Sequence, residues 1–505
     1  MQMLVSAGLI ALVVVWGLLA PASLGAVFNE ALAAITRNFG WFYLWVVLGL
    51  VLLALVLAFS RYGDMKLGAG DDEPEFSNGA WFSMLFAAGM GIGLVYFGVA
   101  EPLSHFASPP PGVAARTPEA ANAAMRYAFF HWGLHPWAIY GIVGLAIAYF
   151  QFRRGAPALV SSATETLTWA WARRLTPAFN VLAVVATAFG VAASLGVGAA
   201  QINSGLHTVF GLPVGPTWQV GIIAVVTVLF VTSSVSGVAR GVKLLSVGNL
   251  IAAAALAGVV FVLGPTVHII DTFTNSLGGY ASEFVRMSLR LTPFRDSSWV
   301  GSWTIFYWAW WLAWSPFVGL FIARVSRGRT IREFVLGVVI APTLVAFLWF
   351  SIFGGAALSV EIFQGAPLAD VAAKDSSLAL FAMLQQLPLA TLTSIIGTLL
   401  VVVFFVTSGD SATLVLATMS HGGADNPPHR SKIIWGVLIA GIAAALLLAG
   451  GVQAVQTASI VFALPFTVVV VLMAVALVRA IRADWEADQK RQRALRRRME
   501  QLVQP

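Results

Sequence analysis

The chain has 505 residues, of which 59% are hydrophobic and only 10% are charged. This composition, with repeated apolar runs of about 20 residues, excludes a soluble multidomain protein and predicts a polytopic membrane protein. The absence of cysteine excludes a disulfide framework and any cysteine-ligated metal. The net charge is +7, and the positions of the charged residues have to be known before a partner is inferred from it.

The hydropathy of the chain predicts twelve membrane spans. No Lys or Arg precedes Arg37, and residues 3–26 are about as long as a full span, so we expect a retained first helix and not a signal peptide. The predicted spans are 4–26, 40–60, 78–100, 122–152, 176–207, 217–238, 243–265, 300–323, 332–357, 378–408, 433–450 and 455–481. Segment 269–292 is too polar to span, and its spaced apolar residues predict an amphipathic helix in the membrane interface.

The basic residues indicate how the chain is oriented. With both termini in the cytoplasm, the inner segments carry 22 of the 29 Lys and Arg residues. Because positive charge accumulates on cytoplasmic loops, this distribution predicts a multi-pass membrane protein of twelve spans with both termini inside. It explains the net charge as an orientation signal and a contact with anionic membrane lipid, and it argues against nucleic acid as a partner. The charged segment 483–505 predicts a cytoplasmic helix, either solvated or regulatory.

The third span is rich in glycine, at Gly89, Gly91 and Gly93. Gly89 and Gly93 form a GxxxG pattern, which is typical of close helix packing. Alternatively, the glycines break the helix and expose backbone oxygens to an ion or a substrate, as in transporters built from inverted repeats. In an inverted repeat of five spans each, the counterpart of the third span is the eighth, which is rich in Trp and contains Pro316.

The fourth span contains HWGLHPWAIY, in which Trp132, Trp137 and Tyr140 share one side of a helix, away from His131 and His135. The three aromatic residues predict one wall of an aromatic box. The two histidines have metal-ligand spacing, but no third ligand is evident in the sequence, and packed, hydrogen-bonded histidines are the simpler interpretation.

The eighth span concentrates tryptophan in its middle, and Trp310, Trp311 and Trp314 share one arc of the helix with Trp308 beside it. A quaternary ammonium has no hydrogen-bond donor, so π-faces are its natural partner, at ~2 kcal/mol or more per desolvated contact. An interfacial aromatic belt is the alternative, but belts cluster at helix ends. The arrangement therefore predicts a binding wall for such a cation.

The tenth span places two hydroxyls, Thr407 and Ser408, beside Asp410 at membrane depth or at the inner mouth. Oxygen ligands without excess charge suit Na+, whereas the alternative for the hydroxyls is back-bonding to helix carbonyls. Thr187 and Ser194 are further polar groups in the apolar fifth span. The chain has no catalytic set of residues, so we expect no enzyme and no cofactor apart from a coupling ion.

The segments FYWAWWLAWSPFVGLFIARVSRGRTIREF, GMGIGLVYFGVAEPLSHF and HWGLHPWAIY strongly resemble the betaine/choline/carnitine transporter family, and the resemblance covers essentially the whole chain. It implies an all-α protein with twelve transmembrane helices and a leucine-transporter-like five-plus-five inverted repeat. Residues 1–77 would hold two extra N-terminal helices, 78–265 spans 3–7, 266–299 the amphipathic helix, 300–482 spans 8–12, and 483–505 the tail. It also implies a homotrimer held partly by the amphipathic helix.

The resemblance also implies roles for individual residues. The trimethylammonium box would consist of Trp132, Trp137, Tyr140 and Trp311. Trp310 and Trp314 would be further contacts on the substrate path, with Met90 and Ser194 nearby, and Trp308 belongs to the same signature. The main sodium site would use backbone oxygens of Ala87, Met90 and Phe404 and the hydroxyls of Thr407 and Ser408.

Two positions bear on the substrate and on the ion stoichiometry. Choline and carnitine members tend to carry an acidic residue where this chain has Gly93, so the resemblance favours a zwitterion such as glycine betaine. A second sodium site would match Thr187 and Phe317, but its other hydroxyl position is Val191, which cannot ligate sodium. The chain is thus expected to be a sodium-coupled symporter working by alternating access. The alternatives are a sodium-independent or proton-coupled carrier of choline, carnitine or dimethylsulfoniopropionate, and, more remotely, a non-transporting membrane sensor.

Overall fold

The computed structural model of the chain describes residues 2–89, 91–167, 169–236, 239–294, 298–424 and 426–503, without the side chains of 86–89, 170, 173, 239–243 and 502–503. Within these ranges the regular structure is helical, and the one β-type pairing is an isolated bridge between Lys66 and Thr330. Ten helical segments in the same ranges are long and apolar enough to cross a membrane. The prediction of an all-α polytopic membrane protein is confirmed at this level.

The helices before residue 264 are α1 (Gln2–Leu19), α2 (Pro21–Phe59), α3 (Asn78–Gly89), α4 (Ile92–Ala107), α5 (Pro118–Trp132), α6 (Leu134–Ala148), α7 (Val160–Thr164), α8 (Ala170–Phe210), α9 (Pro216–Ser236) and α10 (Ala239–Leu263). The later helices are α11 (Thr266–Ser288), α12 (Ser298–Val300), α13 (Phe306–Arg324), α14 (Ile331–Gln364), α15 (Leu368–Lys374), α16 (Ala379–Leu384), α17 (Ala390–Ser420) and α18 (His429–Val503). π-Helical turns follow α6 and join α12 to α13.

The first two predicted spans, 4–26 and 40–60, have the wrong boundaries. α1 ends at Leu19, and α2 runs without a break from Pro21 to Phe59. Pro21 occupies the first turn of α2, where its missing N–H costs nothing, so it separates the two helices. The predicted loop 27–39 is rich in Ala and other helix formers, and its few polar residues do not stop the helix.

Glycines interrupt helices at three places. α3 ends at Gly89 and α4 begins after Gly91, which is extended, so the helix breaks where the glycine-rich stretch predicts. Gly133 separates α5 from α6 inside the predicted fourth span. Gly450 and Gly451 leave helical geometry inside α18, and the two parts of that helix contain the predicted spans 433–450 and 455–481.

The predicted tenth span, 378–408, is also misplaced. Short helices end at Leu384, and α17 begins only at Ala390, after Pro388 and after Leu389 in the left-handed region at φ +63°. Pro388 cannot donate the backbone hydrogen bond that a continuous helix would need. Beyond residue 408 the sequence stays largely apolar, so α17 continues to Ser420 and Thr407 lies well inside it.

The expected amphipathic helix over 269–292 corresponds to α11, which runs from Thr266 to Ser288 and packs against α5 and α14. Apolar side chains stay exposed beside its buried face, among them Ile270 and Leu277. The helix is therefore present where the spacing of apolar residues predicts it.

The start of the charged C-terminal tail packs against other parts of the protein and is therefore not a fully solvated helix. The Tyr149 hydroxyl and the Arg154 guanidinium donate to Asp484 at 2.6 and 2.7 Å, and Arg61 lies 4.1 Å above the Trp485 ring. Desolvation acts to raise the pKa of Asp484, but these hydrogen bonds and the nearby arginines hold it below its ordinary value of 3.8. Residues 490–501 are exposed, so the solvated interpretation applies only to that later part.

Small residues allow α13 to lie close to α6 and α8. A Cβ added to Gly144 of α6 would lie 3.2 Å from the Gly319 carbonyl oxygen of α13. A Cβ added to Gly190 of α8 would lie 3.1 Å from the Ala313 side chain. Close backbone approach of this kind is typical of helix packing in membranes. It places the tryptophans of α13 against both neighbouring helices.

Candidate functional site

Four aromatic side chains, Trp132, Trp137, Tyr140 and Trp311, form an aromatic cage where α5, α6 and α13 meet. The Trp311 ring centroid lies 5.0 Å from that of Trp132 and 5.4 Å from that of Tyr140, with nearly perpendicular planes. Tyr140 meets Trp137 at 5.5 Å in the same edge-on manner. All four side chains are buried. Such an arrangement can present several π-faces to one cation in a dry environment.

Two glycines leave the space that the cage needs. A Cβ on Gly133, between α5 and α6, would lie 2.5 Å from the Phe129 carbonyl oxygen. A Cβ on Gly93 of α4 would lie 2.6 Å from the Trp310 ring and 3.1 Å from the Trp132 ring. The backbone turn between Trp132 and Trp137 and the close approach of α4 therefore both depend on the absence of a side chain.

Four indole N–H groups around the cage are bound to protein acceptors. Trp311 donates to the His131 carbonyl oxygen at 3.1 Å, and Trp314 and Trp310 donate to the Gly190 carbonyl oxygen at 2.9 and 3.4 Å. Trp132 donates to a carboxylate at 2.9 Å. These bonds fix the rings and leave their faces as the groups available to a ligand.

A cavity of about 570 Å³ begins at the cage. That volume lies within the range of small-molecule sites. Near the cage it is lined by Gly91, Gly93, Ser194, Trp310, Trp314 and Phe317. Its far end is lined by Gln151, Arg324, Thr418 and Gly423. These residues stand beside connections that the distribution of basic residues assigns to the cytoplasmic side.

Trp308 and the two histidines of the fourth span do not join the cage. The Trp308 ring is fully buried, stacks on His135 with centroids 5.1 Å apart, and lies outside the cavity. His135 Nε2 is 2.8 Å from the Ser288 hydroxyl, whereas His131 Nδ1 is 2.7 Å from Glu101. The two histidines therefore use different partners and do not share a ligand position.

Three residues predicted for the main sodium site meet the same cavity from α17, namely Phe404, Thr407 and Ser408. The Thr407 hydroxyl donates to the Val403 carbonyl oxygen at 2.9 Å, the back-bonded arrangement that was the alternative to ion binding. A hydroxyl that donates one bond keeps its lone pairs, so this geometry is compatible with ligation.

The other predicted members of the sodium site lie at the broken helix. Ala87 belongs to α3, but its side chain is not described, and Met90 lies outside the described residues. The same holds for the predicted contact of Met90 with the substrate. Gly89 ends α3 next to this point, and Gly91 lines the cavity.

The residues discussed for a second sodium site belong to two helices, Thr187 and Val191 to α8 and Phe317 to α13. The Thr187 side chain is fully buried, and its hydroxyl has no hydrogen-bond partner among the described residues. A buried unpaired hydroxyl costs about 1–3 kcal/mol. Phe317 lines the cavity, and Val191, one turn after Thr187, is fully buried. One hydroxyl is thus left without a protein partner, and the second position is apolar.

Asp410 follows Thr407 and Ser408 on α17 and lines the cavity beyond them. Its Oδ1 atom is buried and has no hydrogen-bond partner within the described parts of the chain. Since α17 continues to Ser420, this carboxylate lies inside a candidate membrane helix.

Sequence reasoning missed Glu101, which lies directly behind the cage on α4, one residue beyond the predicted third span. Its Oε2 atom accepts from the Trp132 indole at 2.9 Å and from the Tyr307 hydroxyl at 2.5 Å. Its Oε1 atom is 3.2 Å from His105 Nε2 and 2.7 Å from His131 Nδ1. All of these side chains are buried. A carboxylate within the apolar run GLVYFGVAEPL was the signal that could have identified it.

The chain is similar to known membrane transporters along nearly its whole length. The family model described as BCCT, betaine/carnitine/choline family transporter, matches residues 2–486. The chain is 49% identical to the glycine betaine transporter OpuD of Bacillus subtilis (strain 168), over 93% of this chain and 91% of that protein. It is 45% identical to the ectoine/hydroxyectoine transporter of Virgibacillus pantothenticus, over 97% of this chain and 98% of that protein.

Proposed function

The chain belongs to the betaine/carnitine/choline family of transporters, and we propose that it carries glycine betaine or a related methylated zwitterion across the membrane together with sodium. It is a multi-pass membrane transporter and not an enzyme. The proposed location is the cytoplasmic membrane of a bacterium, with both termini in the cytoplasm.

The single observation that carries this proposal is the buried aromatic cage at the end of the cavity. Three or four desolvated cation–π contacts at ~1–2 kcal/mol each would supply roughly 3–8 kcal/mol. After the costs of association, this fits a micromolar to millimolar dissociation constant, which is tight enough to select a substrate and weak enough to release it.

The proposed architecture has twelve spans. α3 and α4 together form the third span, and the two parts of α18 form the eleventh and twelfth. Spans 3–7 and 8–12 would then be the two inverted repeats, preceded by two extra helices. We further propose a homotrimer to which the exposed apolar face of α11 contributes.

The cavity extends from the cage to residues beside the predicted cytoplasmic connections, which supports an inward-facing state in the proposed alternating-access cycle. Sodium at Thr407 and Ser408 would favour the outward-facing state. A ligand shifts such an equilibrium only through its different affinity for the two states. The second proposed ion position, with Thr187 and Phe317, has a single side-chain hydroxyl because Val191 occupies the other place.

Ectoine is a second candidate substrate, since a relative with 45% identity is named an ectoine/hydroxyectoine transporter. Ectoine combines a carboxylate with a planar, delocalised cation, which can also lie against an aromatic face. Competition between the two solutes for one carrier separates the candidates.

The deciding experiment is uptake of labelled glycine betaine into proteoliposomes with and without an inward sodium gradient. Accumulation that requires sodium is the expected result, and excess unlabelled ectoine then measures the second substrate. Equal accumulation without sodium would overturn the proposed coupling while leaving the cage assignment intact. Ectoine uptake without glycine betaine uptake would overturn the proposed preference for the trimethylammonium group.

A further inference from the structure

Glu101 holds a concentrated set of hydrogen bonds immediately behind the aromatic cage. The side chain is fully buried, and each of its two oxygens has two polar neighbours. Trp132, one of these neighbours, is itself a wall of the cage. The carboxylate is therefore one hydrogen bond away from the surface that a ligand would touch.

The hydrogen bonds are those of an ionised carboxylate. An indole N–H can only donate, and the Tyr307 hydroxyl donates to the same oxygen, so Oε2 accepts twice. His105 Nε2 and His131 Nδ1 satisfy Oε1 when both rings are neutral, and the Thr304 hydroxyl, 3.0 Å from His131 Nε2, can then donate to that ring. Four donors favour the charged form of a carboxyl group. With both histidines neutral, the cluster carries a net negative charge.

Other acidic groups are absent from the neighbourhood of the cage in the part of the chain that the structure describes. Among the residues lining the cavity, the acidic one is Asp410, which lies beyond the ion-site hydroxyls on α17. Position 93 is a glycine whose Cβ would collide with Trp310 and Trp132. The negative charge nearest to this cage is therefore that of Glu101, which lies behind the Trp132 ring and not in the cavity wall.

On the basis of the proposed function, we propose that Glu101 sets the cage's preference for a cationic methylated group over an uncharged one of the same shape. It does so in two ways. The carboxylate charge attracts the cation across the Trp132 ring, and the hydrogen bond accepted from the indole N–H increases the electron density of that ring. The hydrogen bonds of Glu101 also hold Trp132 and Tyr307 in place. Glu101 is a positioning and specificity-determining residue and does not touch the ligand.

The expected size of the effect follows from the distance. A cation within ~6 Å of the Trp132 ring centroid is on the order of 8–10 Å from the carboxylate. At that separation and an effective dielectric constant of ~20, one unit charge changes a binding constant by roughly twentyfold.

The Glu101→Gln variant isolates the charge. The amide oxygen can accept from Trp132 and Tyr307, while the amide NH₂ can donate to His105 and His131 once these rings change tautomer. The four hydrogen bonds to residue 101 are therefore retained and the charge is lost, while the His105 proton moves to Nδ1, which is buried without a partner among the described residues. Thr304→Val is the matched control, because it removes a neighbouring hydroxyl and leaves the four partners of Glu101 unchanged.

Two ligands of equal shape provide the readout, namely glycine betaine and 3,3-dimethylbutanoate, in which a carbon replaces the ammonium nitrogen. Inhibition constants of both are measured against labelled glycine betaine uptake in proteoliposomes. The expected result is a ratio of the two affinities about twentyfold lower in Glu101→Gln and unchanged in Thr304→Val. A structural role alone would weaken both ligands equally, and an unchanged ratio in Glu101→Gln would overturn the inference.

Two further results keep the test decisive. If the unaltered protein does not take up or bind glycine betaine, the proposed function fails and the inference fails with it. If Glu101→Gln yields no folded protein, Glu101→Asp replaces it, since the charge is retained but moved back by one methylene. The preference for glycine betaine over its isostere should then stay within about threefold of the unaltered protein, and a larger loss overturns the inference.

Discussion

Replacement of Trp311 by Leu should raise the half-saturating concentration of glycine betaine about thirtyfold and leave the protein folded. Trp311 is the ring that contacts both Trp132 and Tyr140, at 5.0 and 5.4 Å, so its loss opens the centre of the cage. One desolvated cation–π contact of ~2 kcal/mol corresponds to about thirtyfold in affinity. The lost hydrogen bond to the His131 carbonyl oxygen costs only about 1 kcal/mol of stability.

The assay is concentration-dependent uptake in proteoliposomes, combined with thermal unfolding of the purified protein. Trp308→Leu is the matched control, because Trp308 lies three residues earlier on the same helix but stacks on His135, outside the cavity. Removal of this packed ring should lower the melting temperature and leave the half-saturating concentration unchanged. An unchanged half-saturating concentration in Trp311→Leu, or an equal rise in both variants, would refute the assignment of the cage.

Three further changes test other parts of the site and the fold. Gly93→Ala places a Cβ 2.6 Å from the Trp310 ring, so it should weaken glycine betaine about tenfold in competition uptake; unchanged affinity would show that this ring can move freely. Thr407→Val removes one hydroxyl without changing the shape of the side chain. It should raise the half-saturating sodium concentration about tenfold or more and change substrate affinity little at saturating sodium. Unchanged sodium dependence would exclude this hydroxyl as a ligand. Asp484→Asn should lower the free energy of unfolding by at most about 1 kcal/mol because the contact with Arg154 is partly exposed. Since the pKa of Asp484 is lowered in the folded protein, the difference in unfolding free energy between variant and unaltered protein should be complete above pH 3.8 and vanish as the pH falls further. A difference that persists in acid would contradict the ion pair.

The residues of the cage could be predicted from the sequence because helical spacing determines which side chains share a face. Trp132, Trp137 and Tyr140 on one segment and Trp311 on another had an evident common chemistry, and the structure brings the two groups together. Trp308 shows where this reasoning ends. It has the same residue type on the same helix, yet its surroundings are His135 and Phe130, and only tertiary packing reveals that.

Helix boundaries and hidden polar partners were harder to predict, for physical reasons. Hydropathy locates the apolar part of a helix, whereas a helix ends where its backbone hydrogen bonds end, so α17 continues beyond Asp410 to Ser420. Glu101 was missed because the predicted span stopped one residue before it. Its four partners come from α4, α5 and α13, a convergence that no local pattern contains.

The hydrogen bonds of the cage region bear on which ligands it can accept. The indole N–H groups of Trp132, Trp310, Trp311 and Trp314 are all occupied by protein oxygens, so these rings present π-faces to the cavity. A primary ammonium entering the cage would lose its hydrogen bonds to water and gain none from these rings, at a cost of about 1–3 kcal/mol for each unpaired donor. A fully methylated ammonium has no donor to lose and keeps its charge. Because an indole ring donates a hydrogen bond and never accepts one, it offers a cation only its π-face, and this wall would therefore favour methylated solutes over a primary ammonium.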